Sequence, residues 1–401
     1  MRILYIQSSY VPPPQDQQTD RFFLLSEKLE GDILAPVWGS SPDQMESLFG
    51  PGSYPAYTVG KFRYHWMLAW RYQGIRRKLA VFWFYLRKGL ELHRQRKFDC
   101  IVVYSHQTTA LLAVLLKLLT GTRLIAEIAT TPHLVRLVER PHPTLADRLS
   151  NRFFNLCLYV VGHMSACLHL LSPDQLSHYP SLRKVPGAVF HEFVPISMID
   201  RPPEPVKGGG TYILLVGAPW YLKGADLLIQ AFHRLAPDFP DVNLRLLGHY
   251  PDRQELDALI NGSPRIEIIS GKPYKETLQL IAGAAVLVLP SRCEGMGRVL
   301  LEAMGAGVPV VGSDIGGIPF VVHDGENGLI FPSGDSLALE ARLRLLLGNS
   351  ELRQRLGNRG YEMAHSHFNE KVYVEEFARM VEMAIGNLSH KLSAVSDQPT
   401  A

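Results

Sequence analysis

Glu294 and Glu302 stand eight residues apart in residues 290–317, PSRCEGMGRVLLEAMGAGVPVVGSDIGG. Eight residues of pure helix rise ~12 Å and turn a side chain through roughly 80°. Glu294 lies in a polar loop with Gly295 and Gly297, so its true separation from Glu302 is shorter. Both carboxylates can then line one elongated cleft. Glycines let backbone approach a ligand closely, and a helix opening at Arg298 presents its first N–H groups to an anion. The pattern therefore describes two carboxylates with a phosphate site between them.

The elements that must position these groups follow from the apolar runs. Val286–Leu289 reads as a buried strand, Arg298–Ala306 as a helix ended by Gly307, and Val308–Gly312 as another strand. Together they make a βαβ unit. From Tyr212 strands and helices alternate: strands to Gly217, at Asn243–Leu247 and Ile266–Ile269, and helices from about Ala225, Arg253 and Glu276. Such alternation predicts a doubly wound parallel sheet. Beyond Ser336 the pattern is helical to about Asn387.

The first half has the same grammar. Strands are expected at Arg2–Gln7, Ile33–Val37, Cys100–Tyr104, Leu124–Ile128 and Ala166–Leu171. Helices are expected from Asp20 to about Leu29, over Ala110–Leu119, and to about Val161 within the very apolar stretch Phe153–Leu171. That stretch contains Asn155, Gly162, His163, Ser165 and His169, too many polar groups for a membrane span. Ligands of open α/β sheets bind beyond the carboxyl ends of the strands. His106, Glu127 and His133 are placed to face a cleft there; the alternative is that they only cap neighbouring backbone.

Composition bounds the rest. The 401 residues are 46% apolar and 20% charged, enough for two or three domains with large cores. A net charge of +3 is too small to imply a nucleic-acid partner. Cys100, Cys157, Cys167 and Cys293 have no metal-ligand clustering and read as reduced thiols of a cytoplasmic protein. Residues 61–97 hold eleven Lys or Arg, nine Phe, Trp or Tyr, and one acid, Glu91. Basic residues among interfacial aromatics suit an anionic membrane surface, on the inner face of the plasma membrane for a cytoplasmic protein. A long surface helix whose aromatics pack on the sheet fits the same residues, and the two readings stay open. Pro195–Gly210, with Pro202, Pro203, Pro205 and three consecutive glycines, is the best domain linker.

Glu294 and Glu302, set in S-x-x-EG-x-G-x-x-x-LEAM-x-x-G-x-PVV, resemble the signature of retaining glycosyltransferases of family 4, the glycosyl transferases group 1. The resemblance runs on through Gly316-Gly317, Asp324-Gly325, Asn327-Gly328 and Gly334-Asp335. It implies a GT-B type α/β fold, two Rossmann-like doubly wound domains facing across a cleft. The boundaries become an acceptor domain over 1–200, a linker at 201–210 and a nucleotide-sugar domain over 211–369. A helix over 370–388 crosses back to the first domain, and 389–401 form a disordered tail.

The resemblance also assigns roles. Lys223, in GAPWYLKGAD after a strand, matches the family's phosphate-binding lysine, with Gly217 opening the same turn. Glu294 then contacts the transferred sugar and Glu302 the ribose hydroxyls; a carboxylate can accept two hydroxyl hydrogen bonds. Gly295, Met296, Gly297 and Arg298 complete the donor site, and Lys272 lies in the nucleobase loop Gly271–Tyr274. His133 is the candidate for the histidine the family carries near the sugar, where Ala129 stands here. Ala218 replaces the family's usual arginine, so the phosphate charge falls to Lys223 and helix N-termini, with Arg292 or Arg298 as candidates to share it. The N-terminal loop likewise has Gln15, Asp16 and Gln17 in place of a glycine pair. No D-x-D occurs, so no metal or other cofactor is expected.

The function implied is transfer of a hexose-type sugar from a nucleotide diphosphate to a glycan or lipid-linked acceptor, with retention, in cell-surface polysaccharide synthesis. A nucleotide-sugar epimerase or hydrolase on the same fold, or a non-catalytic sugar- or membrane-binding derivative, are the alternatives.

Overall fold

The computed structural model describes residues 1–7, 20–37, 57–68, 74–104, 108–128, 144–177, 179–199, 211–251 and 253–386. The loop at 8–19, most of 40–58, His106, Ala129, His133, the linker at 201–210 and the tail at 389–401 lie outside them. The described residues divide between two compact units. One lies within Met1–Ala129, Thr144–Phe190 and Tyr373–Ala401, the other within His191–Val372.

In the first unit the elements are β1 (Arg2–Gln7), α1 (Arg21–Leu25), β2 (Glu30–Val37), β3 (Thr58–Val59), β4 (Phe62–Leu68) and α2 (Gly74–Gln95). There follow β5 (Cys100–Tyr104), α3 (Thr108–Thr120), β6 (Arg123–Ile128), α4 (Leu145–Met164), β7 (Cys167–Leu170) and β8 (Gly187–Val189). The sheet order is β3-β4-β2-β1-β5-β6-β7-β8, parallel except for the β3–β4 pair. The inner strands are continuous apolar runs because helices cover them. Val81, Tyr85 and Leu92 of α2, Ala113 and Leu116 of α3, and Leu158 and Val161 of α4 share one core with Leu4, Ile6, Ile101 and Val103 of the sheet.

Two expectations change here. Residues 61–97 are not one long helix: Phe62, Tyr64 and Met67 of β4 are buried, and only α2 keeps the helical reading. Alternation of inward side chains, with Trp66 stacked on Tyr64 at 4.7 Å, makes this half a strand. The helix before β7 is also longer than its apolar run, because Thr144 caps it twenty residues before Met164 through a reciprocal capping box with Asp147. Among the described residues no helix is long and apolar enough to cross a membrane.

The second unit runs β9 (Thr211–Val216), α5 (Ala225–Leu235), β10 (Val242–Leu247), α6 (Gln254–Ile260), β11 (Ile266–Ile269), α7 (Tyr274–Ala282) and β12 (Val286–Leu289). It continues with α8 (Arg298–Gly305), β13 (Val310–Ser313), α9 (Ile318–Val321), β14 (Leu329–Phe331), α10 (Ser336–Leu347) and α11 (Ser350–His367). All its strands are parallel, in the order β11-β10-β9-β12-β13-β14. That is the doubly wound dinucleotide-fold order, with its reversal between β9 and β12. A last helix, α12 (Glu370–Ile385), belongs to the first unit from Tyr373 onward. There Tyr373 meets Phe190 edge to face, with ring centroids 5.9 Å apart.

Candidate active site

The turn after β9 and the turn after β12 leave the sheet side by side, at the reversal point. Backbone ties them: Arg292 N donates to Leu222 O at 2.8 Å. Gly224 has φ +70, and a Cβ there would stand 1.9 Å from Pro290 O. Only glycine lets the two turns approach this closely. The gap brings Lys223 from one turn to Glu294 of the other.

Lys223 Nζ donates to Glu294 Oε2 at 2.7 Å, with the two side chains 23% and 12% exposed. Glu294 is held from three more directions. Ser291 Oγ donates to Oε2 at 3.1 Å, its own backbone neighbour Gly295 N donates to Oε1 at 3.2 Å, and Gly316 packs beneath its carbonyl. A Cβ on Gly316, at φ +59, would stand 2.0 Å from Glu294 O. Ser291 is fixed in turn, because its carbonyl accepts from Ser313 Oγ at 2.7 Å and Ser333 Oγ at 3.2 Å. The aliphatic stem of Lys223 lies on Gly217, whose carbonyl accepts from Tyr250 Oη at 2.9 Å.

Glu302 sits on the inner side of α8 and is buried. Tyr274 Oη, at the start of α7, donates to its Oε1 at 3.1 Å, and Arg298 Nη2 stops 3.8 Å away. Burial pushes the Glu302 carboxyl above the ordinary carboxylate range, and Arg298 and Tyr274 offset only part of that cost. Burial, and then the Glu302 charge, raise the Tyr274 hydroxyl as well, so it stays a donor. Gly297 is the N-cap residue of α8 and Arg298 its first residue. Met296 is buried beside them, and Glu192 N donates to its sulfur at 3.4 Å.

The expected residues therefore separate into three sets. Lys223, Glu294, Gly295 and Gly217 meet at the reversal point. Met296, Gly297, Arg298 and Glu302 follow along α8. Lys272 does not join them; it is half exposed and pairs with Glu276 at 3.4 Å. Tyr274, two residues on, is the member of that loop that reaches Glu302. Its signal in the sequence was Pro273, which opens α7 and fixes where the next side chain falls.

Arg292 has a different task from the one its position invites. Its guanidinium grips Asp226 through two bonds of 2.7 and 2.5 Å, donates to Tyr221 O at 2.6 Å, and covers the Tyr221 ring at 4.1 Å. Although burial works against its charge, Asp226 outweighs it and raises the Arg292 pKa. The pair locks the lysine-bearing turn onto the glutamate-bearing turn. Nothing in the sequence links residue 226 to 292, since the contact spans two crossovers. Among the described residues no group of three or more His, Cys, Asp and Glu is arranged to hold a metal ion.

Known proteins resemble parts of this chain. Residues 198–363 match the family model described as glycosyl transferases group 1. An uncharacterized glycosyltransferase of Methanocaldococcus jannaschii is 32% identical over 167 residues, 41% of this chain and 46% of that protein. The sulfoquinovosyl transferase of Arabidopsis thaliana is 32% identical over 154 residues, 37% of this chain and 29% of that protein. The chain thus spans less than half the length of these two relatives. Among solved structures, the sucrose-phosphate synthase of Thermosynechococcus elongatus superposes with a TM-score of 0.79 at 16% identity, covering 97% of this chain and 100% of that one. The Anabaena HepE protein gives a TM-score of 0.70 at 14% identity over 95% and 99% of the two chains. Residues 198–363, with Lys223, Glu294 and Glu302 among them, belong to the glycosyl transferases group 1, in a chain whose fold is of the GT-B type.

Proposed function

We propose that this chain moves a hexose-type sugar from a nucleotide diphosphate to a glycan or lipid-linked acceptor, with retention of configuration and without a metal. The observation that carries the reading is the Lys223–Glu294 pair at the sheet reversal, 2.7 Å apart and partly open to solvent. A cation and a carboxylate that neutralise each other before binding can be redeployed together. Lys223 turns to the leaving phosphate as its charge grows, and Glu294 is freed to accept hydroxyl groups of the sugar. Met296, Gly297 and Arg298 bring the N-terminus of α8 to the same anion. Glu302, with an unfilled acceptor position, suits the vicinal hydroxyls of a ribose. His133 remains the candidate for a histidine beside the sugar, and Lys272 a peripheral candidate at the base.

The relatives' names support the donor class. The Anabaena protein was solved with UDP and glucose, and another of its structures with UDP-glucose. A Rhizobium meliloti relative, 28% identical over 186 residues, is a lipopolysaccharide core biosynthesis glycosyltransferase, which supports a role in cell-surface polysaccharide synthesis. Retention follows if the leaving phosphate itself takes the acceptor proton on the face it leaves, so that no protein nucleophile is needed.

The test is thermal stability of the purified chain against a panel of nucleoside diphosphates and their sugars in EDTA. A ligand at a hundred times its dissociation constant stabilises by ~2.7 kcal/mol. A rise with one nucleotide, lost in Lys223→Ala and Glu302→Ala, supports the reading and names the base. No response to any member defeats it. Release of free diphosphate without any acceptor would instead favour the epimerase or hydrolase.

A further inference from the structure

Two helices of the first unit carry apolar side chains that its core does not use. Helix α4 buries Cys157, Leu158, Val161 and Gly162 on one side. At 100° per residue, Leu145, Leu149, Phe153, Leu156 and Tyr159 fall on the opposite side, and all five are exposed, Leu145 to 74%. The stripe spans fifteen residues, a rise of about 21 Å. Helix α2 also carries an exposed apolar line, beside its buried one. Its buried line is Val81, Tyr85, Gly89 and Leu92, while Ile75, Leu79, Phe82 and Trp83 form a second line that is exposed, Trp83 to 62%. Helix α3 packs between α2 and α4, and the three cover the same sheet face, so both outer lines belong to one helical layer. Leu118 and Leu119, at the end of α3, are exposed as well.

The charges beside these lines have one sign. Arg76, Arg87 and Arg94 fall on one exposed edge of the α2 line, and Arg148 and Arg152 on an exposed edge of the α4 line. The acids of the two helices are Glu91 and Asp147. Glu91 pairs with Lys88 at 2.7 Å and also attracts Arg87, and Asp147 is engaged by the Thr144 cap. Bulky apolar side chains flanked by arginines match the boundary of an anionic bilayer, where rings and aliphatic chains enter the interface and guanidinium groups stay among the headgroups. A soluble protein partner would need no such one-signed border, and like charges would oppose a second copy meeting the same face.

We propose that the outer faces of α2 and α4 dock this protein on a lipid surface rich in anionic headgroups, with Trp83 and Phe153 as the inserting rings and the five arginines as the electrostatic contact. The proposal is independent of the catalytic reading and does not use the donor-site residues.

Co-sedimentation of the full chain with phosphatidylglycerol-containing and pure phosphatidylcholine vesicles tests it. Binding is expected with the anionic vesicles at low salt, weakened by high salt, and absent with the neutral ones. Trp83→Ser with Phe153→Ser should reduce binding at least tenfold, and each of Arg76→Glu and Arg148→Glu by roughly fivefold or more. These positions are exposed, so the melting temperature should hold and a loss of binding cannot be assigned to unfolding. No binding to anionic vesicles at low salt would overturn the proposal. So would a concentration-dependent dimer in sedimentation velocity that the Trp83 and Phe153 changes abolish, since the face would then be covered by a second copy.

Discussion

Glu127 in β6 and Glu302 in α8 are both buried carboxylates, one in each unit, and their surroundings push them in opposite directions. Burial would raise Glu127, but Arg21, His169 and Tyr5 outweigh it and hold the carboxyl below its ordinary range. His169 Nδ1 lies 2.9 Å from Glu127 Oε1, its Nε2 lies 3.2 Å from Phe190 O, and the imidazole stacks on the Phe190 ring at 3.8 Å. Tyr5 donates to Oε2, Arg21 donates to Tyr5, and Arg21 also reaches Tyr373 of α12 at 3.3 Å. Both oxygens of Glu127 are engaged, Oε1 by His169 and Oε2 by Tyr5, with Arg21 3.8 Å from Oε2. Among the described residues Glu302 accepts one hydrogen bond, from Tyr274, with Arg298 3.8 Å away, and its pKa is raised. A buried charge that is fully paired works as a lock on the fold, whereas one left short of partners is held ready for a ligand.

The largest effect should come from breaking the lock. Glu127→Ala leaves Arg21 and His169 buried without their carboxylate and should cost roughly 3–5 kcal/mol in urea unfolding. Because Glu127 is lowered in the folded state, its contribution is present above the ordinary carboxylate pKa. It is lost as pH falls through the lowered value. An acid-unfolding curve unchanged in Glu127→Gln would remove the distinction between the two carboxylates.

Next in size is the Lys223–Glu294 pair. Lys223→Ala should reduce sugar transfer by about 10²–10³-fold while barely moving the melting temperature, because the pair is partly open and Glu294 keeps Ser291 and Gly295. A stability loss as large as that of Glu127→Ala would make it a structural bridge instead.

Asp226→Ala should be intermediate. It strips Arg292 of its two bonds and costs about 1–3 kcal/mol, and it should raise the donor KM more than it lowers kcat, since the turn carrying Lys223 loosens. Equal kcat loss with unchanged KM would contradict a positioning role.

Glu302→Gln should have a small effect on stability, with the opposite sign to that of Glu127→Ala. A raised folded pKa means that the native state binds the extra proton, so stability falls as pH rises from the ordinary carboxylate pKa through the raised value. Glutamine removes that slope, and a small gain at neutral pH is expected in thermal melts, together with loss of nucleotide response. A destabilised Glu302→Gln would show that its carboxylate is locked like Glu127.

Much of this was legible beforehand. Val286–Leu289 and Ile266–Ile269 are strands with the bounds their apolar runs imply, and α8 begins at Arg298 after its glycine loop. Local signals suffice there because β12 is buried along its whole length and β11 is a short run rich in β-branched residues. Residues 62–68 were not legible as a strand, because five of the seven side chains are aromatic or basic and show no alternation until one face is known to be buried. Lys272 was chosen from its loop by charge, yet Tyr274 reaches Glu302, since the direction of a side chain depends on where α7 starts.

The sequence by itself determined the elements, their alternation and the loop chemistry around Glu294, all of which are written within a few residues of each other. Only tertiary structure decided that Lys223 meets Glu294 across seventy-one positions, that Arg292 is spent on Asp226, and that the apolar lines of α2 and α4 face outward. Each depends on which crossover packs beside which. A parallel sheet sets that through strand order, and the distance along the chain carries no trace of it.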